Sequence, residues 1–292
     1  MNGLVEKFQK WLLEDGKSSR TVDSYCNDVK QYQLYVMEKA ADEGQLLSRF
    51  LFVRYKQHLQ DRQLAVSTIN KAVNSLKVYN DFLREKGLVD ENFIQLKKDK
   101  VQIAAGSEHV VTSLSEEEVE QLLFYMEDAS RVSQRNKLIV YLLLYTGVRV
   151  SELIQIRIKD IDRLTATLTI QGKGNRIREI SLRQDVLEVM NEYLKGERMQ
   201  SKFAESEYLL VSQRSSKLHR DSVRSWLAII SEELRFKLHP HLFRHTFCTR
   251  LLNRGVDITT VSKLAGHASV NMTTKFYINI TREQKQDAVE KL

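Results

Sequence analysis

One proline, Pro240, stands in a chain of 292 residues. A proline inside a helix removes a backbone donor and clashes with the preceding turn, so its near absence leaves long stretches free to be helical. The chain is therefore expected to be mainly α. The exceptions are short. Residues 166–170 and 176–182 alternate apolar and polar side chains, and Gly172-Lys173-Gly174-Asn175 between them is a hairpin signal. A small antiparallel β-sheet is expected there, in the second half of the chain.

Residues 1–96 are expected to form a helical domain. Ser18 and Ser19 can cap a helix running to about Ala40, and Ser67 can cap another. In the latter, Ile69, Val73, Leu76, Tyr79 and Leu83 fall on one face, with Asn70, Asn74 and Lys77 on a different one. Gly87 is placed to stop it. Residues 97–113 lose helical periodicity and are expected to be a linker. Fully extended they would reach on the order of 50 Å at roughly 3.3 Å per residue. A DNA duplex is about 20 Å wide, in keeping with its groove dimensions, so a two-lobed clamp around DNA is sterically possible. Residues 114–279 form the expected second domain, with 280–292 as a C-terminal tail. Glu116, Glu117 and Glu118 after Ser115 suit a helix N-terminus. Residues 135–145 are a strongly apolar helix closed by Gly147, and Pro240 suits the first turn of a later one.

Charge matters through its distribution. The formal net charge is +7, which alone is weak support for a polyanionic partner. Residues 135–183, however, hold ten Lys/Arg against four Asp/Glu, and residues 214–254 hold nine against three. Cys26 and Cys248 form no metal-type spacing, which favours a reducing compartment. The N-terminus lacks a signal-peptide pattern, and the longest apolar run, residues 138–145, is too short to span a bilayer. A cytoplasmic location with no membrane association is expected.

Both basic stretches carry notable arginines. Arg149 lies in Thr146-Gly-Val-Arg149-Val-Ser-Glu152-Leu, and Arg244 in His241-Leu-Phe-Arg244-His245. Further on, Leu264-Ala-Gly-His267 precedes Tyr277 by ten residues. Such a set suits one reaction: a tyrosine oxygen attacks a phosphodiester while guanidinium and imidazole groups stabilise the charge on phosphorus. Taken singly, each residue has a plainer explanation. Arg149 can pair with Glu152 or Asp160, and His241 and Arg244 can belong to a solvated basic face. Lys173 can be an ordinary surface lysine, His267 a helix-capping cation, and Tyr277 a half-buried aromatic. His239, His241, His245 and Cys248 invite a zinc reading, but Arg244 would place a cation among them and no second ligand cluster exists, so no metal is expected.

Together, the motifs resemble those of the tyrosine recombinases, also called phage-type integrases. The resemblance is specific across the second domain and weaker across the first, which looks like that family's SAM-like core-binding domain. It implies a mixed α/β catalytic domain and a helical domain clamped on DNA, with Lys17, Arg20, Asn70, Asn74 and Lys77 as candidate DNA contacts. It also implies that Arg149 and Arg244 hold the scissile phosphate, and that His241 and His267 donate hydrogen bonds. Lys173 would be the general acid and Tyr277 the nucleophile, with Glu152 and His245 in support. A 3′-phosphotyrosyl intermediate and a Holliday junction would follow, on paired sites in double-stranded DNA, with a homotetramer on two synapsed sites and no cofactor. The tail would dock in a neighbouring protomer, or pack on its own domain. Two other readings are a type IB topoisomerase-like enzyme and a non-catalytic DNA-binding regulator.

Overall fold

The computed structural model describes residues 2–39, 46–102, 112–172, 177–267, 269 and 271–274. The chain divides into two compact units, residues 1–108 and 109–292.

The first unit is helical. It contains α1 (Asn2–Glu14), α2 (Ser19–Lys39), α3 (Arg49–Asp61), α4 (Val66–Glu85) and the single turn α5 (Leu96–Asp99). The expected apolar face of α4 is fully buried: Ile69, Val73, Leu76, Tyr79 and Leu83 are all in the core. Phe8 meets Tyr79 edge-on at 5.2 Å and Phe82 at 5.3 Å. Each such aromatic or aliphatic side chain contributes roughly 2–3 kcal/mol by leaving water. Ser67 does not cap α4. The N-cap position lies two residues earlier, at Ala65, without a side-chain cap. Ser48, in contrast, accepts from the Leu51 N–H at the start of α3. Gly87 follows the end of α4 with φ +66°, as a stop requires.

The expected linker begins later than residue 97. Asp99 is almost fully buried, bonded to Arg49 Nη1 at 2.6 Å and to the Gln95 N–H at 2.7 Å. Asn70 clasps Val101 through both ends of its amide, donating to the carbonyl at 2.9 Å and accepting from the N–H at 2.8 Å. Residues 97–101 are thus part of this unit, held by polar contacts that hydrophobic periodicity does not reveal.

The second unit is built around α7 (Gln134–Thr146), which follows α6 (Glu116–Met126). A full capping box joins Ser115 and Glu118 at the start of α6. Leu138, Ile139, Val140, Leu142, Leu143 and Leu144 are all buried, so α7 is enclosed on every side. It ends at Gly147, whose φ is +59°. A Cβ there would lie 2.3 Å from the Phe247 ring, so both conformation and space demand glycine. One turn, α8 (Val150–Leu153), follows.

Three antiparallel strands come next, in the order β1 (Ile161–Asp162), β2 (Thr167–Gln171), β3 (Ile177–Ser181). The two expected strands pair antiparallel, with Leu168 opposite Ile180, while turn residues 173–176 lie outside the described residues; the two-residue β1 is too short to leave a pattern. Leu168, Ile170 and Ile180 face the core. After α9 (Gln184–Lys195) a long loop leads to α10 (Arg220–Leu234), α11 (Pro240–Asn253), α12 (Ile258–Ala265) and α13 (Asn271–Thr274). Among the described residues, no helix is long and apolar enough to cross a membrane.

Candidate active site

Helix ends position the charged groups. The last carbonyls of a helix have no partner within it and carry its negative dipole end, so they hold guanidinium groups well. Arg244, on α11, donates through Nη1 to the carbonyl of Gly147 at the end of α7, at 2.8 Å. Arg149 donates through Nη2 to the carbonyl of Gly266, just past α12, at 3.0 Å. Arg178, on β3, donates through Nε to the carbonyl of Leu264 at 3.0 Å.

Glu152 ties two of these together. Its carboxylate accepts from the Arg149 backbone N–H at 2.9 Å and Arg149 Nη1 at 2.8 Å. It also accepts from Arg178 Nη1 at 3.2 Å and Nη2 at 2.8 Å. Burial alone would raise its pKa; the hydrogen bonds, led by that from Arg178, hold it below the ordinary value. The plain pairing of Arg149 with Glu152 is therefore real, and it coexists with the cluster.

Arg244 is only 4% exposed. Its Nη2 is buried and has no hydrogen-bond partner among the described residues. Burial, then the charge of Arg149, lowers its pKa to about 10. His267 is pushed down to about 4 by burial and then by Arg244 and Arg149. Its Nδ1 lies 2.7 Å from Thr273 Oγ1. His241, in the first turn of α11, is also lowered, by desolvation and then by His239, Arg244 and Arg149. His245 is lowered chiefly by burial and bonds to the Thr112 backbone. Positions 241, 244, 245 and 248 do share one side of α11, with Cys248 buried and its thiol raised to about 11 by desolvation.

Two guanidinium groups thus grip one carboxylate, with a third, that of Arg244, close enough to feel both charges, beside imidazoles whose pKa values are lowered chiefly by burial. The cluster carries surplus positive charge and an unused buried donor. That arrangement favours an anion with several acceptor oxygens.

Arg149, Glu152, His241, Arg244, His245 and His267 come together. Lys173 and Tyr277 lie outside the described residues, as does the 280–292 tail. Arg178 belongs to none of the short motifs, although it shares strand parity with the buried Ile180 and Leu182. A charged residue on the inner face of a strand was the available signal. Among the candidate DNA contacts, Asn70 is committed to Val101, while Lys17 pairs with Asp15 at 2.7 Å and Lys77 with Asp81 at 2.5 Å. Arg20 is exposed and Asn74 half-buried.

The phage integrase family model matches residues 112–284, and that for the phage integrase N-terminal SAM-like domain matches residues 5–87. Tyrosine recombinase XerC of Pediococcus pentosaceus is 31% identical, the match covering 99% of this chain and 97% of that protein. The TnP I resolvase of Bacillus thuringiensis is 31% identical, with 99% of each covered. Among solved structures, XerH bound to a palindromic difH substrate has a TM-score of 0.75 at 21% identity, covering 92% of this chain and 78% of that one. The Tn1549 transposon integrase with circular intermediate DNA has a TM-score of 0.75 at 19% identity, covering 99% and 98%. The chain belongs to the phage integrase family of tyrosine recombinases, enzymes of site-specific DNA recombination. The topoisomerase and regulator alternatives are not favoured by these relatives.

Proposed function

We propose that this charged cluster binds the scissile phosphate of double-stranded DNA and that Tyr277 cleaves there. The observation that carries the reading is the buried, unpartnered Nη2 of Arg244 in a cluster with more guanidinium than carboxylate charge. Arg244 and Arg149 hold the non-bridging oxygens. His241 and His267 supply further hydrogen bonds, and His241 accepts the phenolic proton. The Tyr277 oxygen bonds to phosphorus, and the bond to the 5′ oxygen breaks. Lys173 donates a proton to that departing oxygen. The phosphodiester's reactivity is kept in the 3′-phosphotyrosyl bond, so rejoining to another strand needs neither a nucleotide cofactor nor a metal.

Strand exchange on two synapsed sites through a Holliday junction calls for four protomers. The proposed assembly is a homotetramer, with the 280–292 tail docking in a neighbouring protomer and the first unit completing a clamp on DNA. The proposed location is cytoplasmic. The reading is supported by relatives named as Xer tyrosine recombinases, a resolvase and a transposon integrase.

Covalent mapping tests the reading. Purified protein is incubated, in EDTA, with sheared DNA from its source genome, and SDS-resistant adducts are recovered and sequenced. Wild type should form adducts at discrete sites. Tyr277→Phe should bind the recovered site but form none; an adduct from that variant overturns the assignment.

A further inference from the structure

We propose that Arg178 is a positioning residue for DNA cleavage: by neutralising Glu152 it leaves the charge of Arg149 available to the scissile phosphate. This rests on the reading of Arg149 as a phosphate ligand.

The geometry is that of a shared carboxylate. Glu152 is 7% exposed and accepts four hydrogen bonds, two on each oxygen. Its acceptor capacity is filled. Arg178 spans both oxygens with Nη1 and Nη2, the forked arrangement in which a guanidinium matches a carboxylate best. The Arg149 side chain is thereby confined to one oxygen through Nη1, while its Nη2 is held by the Gly266 carbonyl.

Without Arg178, a buried carboxylate would face one guanidinium instead of two. The favourable response is for Arg149 to close the fork itself, moving Nη2 from Gly266 to Glu152 Oε2. Arg149 would then be turned from the pocket with its charge cancelled. Arg178 prevents this at some electrostatic expense, since its charge also bears unfavourably on Arg244 and His267. That expense is tolerable in a pocket made for an anion.

Space is reserved for the arrangement. A Cβ on Gly266 would lie 2.7 Å from Arg178 Nη1 and 3.0 Å from its Cζ. The positive φ of Gly266 also disfavours any side chain. The Arg178 Nε bond to Leu264 fixes the same end of α12, so the residue joins β3, Glu152 and the segment leading into His267.

The test compares Arg178→Met, Glu152→Gln and the double variant in the full chain. The substrate is the DNA fragment recovered by covalent mapping, nicked so that cleavage is irreversible. Arg178→Met should slow single-turnover cleavage by on the order of tenfold to a hundredfold, as loss of an orienting partner does at other sites. Affinity for the fragment should stay within about threefold, because the defect lies in the chemical step. Adding Glu152→Gln should recover most of the lost rate, since a neutral amide cannot quench Arg149. A merely structural role predicts the opposite, a double variant slower than either single one. That result, or an Arg178→Met enzyme cleaving within about threefold of wild type, overturns the proposal. If melting shows Arg178→Met unfolded, Arg178→Lys, which keeps the charge but not the fork, carries the same comparison with Glu152→Gln. Arg149→Ala, run alongside, separates the two readings. Intact cleavage there breaks the phosphate assignment, whereas lost cleavage with a fast Arg178→Met breaks only the positioning role.

Discussion

Two arginines of the second unit are equally buried and differently used. Arg198 is 5% exposed and Arg244 is 4% exposed. Arg198 donates to the carbonyls of Leu209, Ala204, Ser206 and Tyr208, folding the loop after α9 around itself. Arg244 makes one such bond, to Gly147, and leaves Nη2 idle. A buried cation surrounded by carbonyls organises a loop. A buried cation kept short of partners, beside two others, holds a place for a ligand. The number of occupied donors, more than burial itself, distinguishes the loop-organising arginine from the one proposed to bind phosphate.

The sharpest way to break this contrast is to remove each guanidinium in turn. Arg244→Met should slow cleavage by about a hundredfold or more, as loss of one charge-stabilising donor does elsewhere. Its melting temperature should be unchanged or higher, because an undersatisfied buried charge is replaced by an apolar side chain. Retained cleavage measured in single turnover would remove Arg244 from the phosphate site. Arg198→Met should do the reverse. Four carbonyls lose their donor at a cost of about 3 kcal/mol, seen in denaturant unfolding, while cleavage by the folded enzyme persists. A stable but inactive Arg198→Met would erase the distinction.

Acid should sharpen it further. The folded pKa of His267 is about 4, against an ordinary 6.5. As pH falls the unfolded chain takes up the proton first. The stability due to the neutral ring is therefore full above about 6.5 and is lost as pH drops toward 4. Melting curves of wild type and His267→Gln between pH 7 and 5 should show the steeper loss in wild type. Parallel curves would mean that burial and the neighbouring cations together depress His267 little. The smallest effect is expected at Lys77, whose ion pair with Asp81 is a partly exposed one. Lys77→Ala should change stability by about 0.5 kcal/mol or less. If the residue touches a DNA phosphate, the same change should reduce the salt slope of binding by about 1. An unchanged slope removes it from the interface.

Legibility in the sequence followed the range of the interaction. Gly147, Ser115 and Pro240 mark their helix boundaries by local backbone chemistry and were readable. Ser67 misled because α4 starts without a cap. The ties from Asn70 to Val101 and from Arg49 to Asp99 join residues 31 and 50 positions apart and leave no periodic trace. In the site, Arg149, Arg244 and His267 stood out through short motifs. Arg178 did not, because a strand arginine takes its meaning from the carboxylate it meets across the fold. The unpartnered Nη2 of Arg244 is a property of the assembled pocket and has no counterpart in a linear pattern.

The small core beneath α12 has a mechanical consequence. Phe247, Cys248, Val261 and Ala265 form a cluster separate from the main core of the unit. The carbonyls gripping Arg149 and Arg178, and His267 itself, all belong to the end of that one short helix. The charged cluster is thus keyed to a single short helix. Displacing the end of α12 by a few ångström would break one bond of each guanidinium and withdraw an imidazole together, while Glu152 still held both arginines.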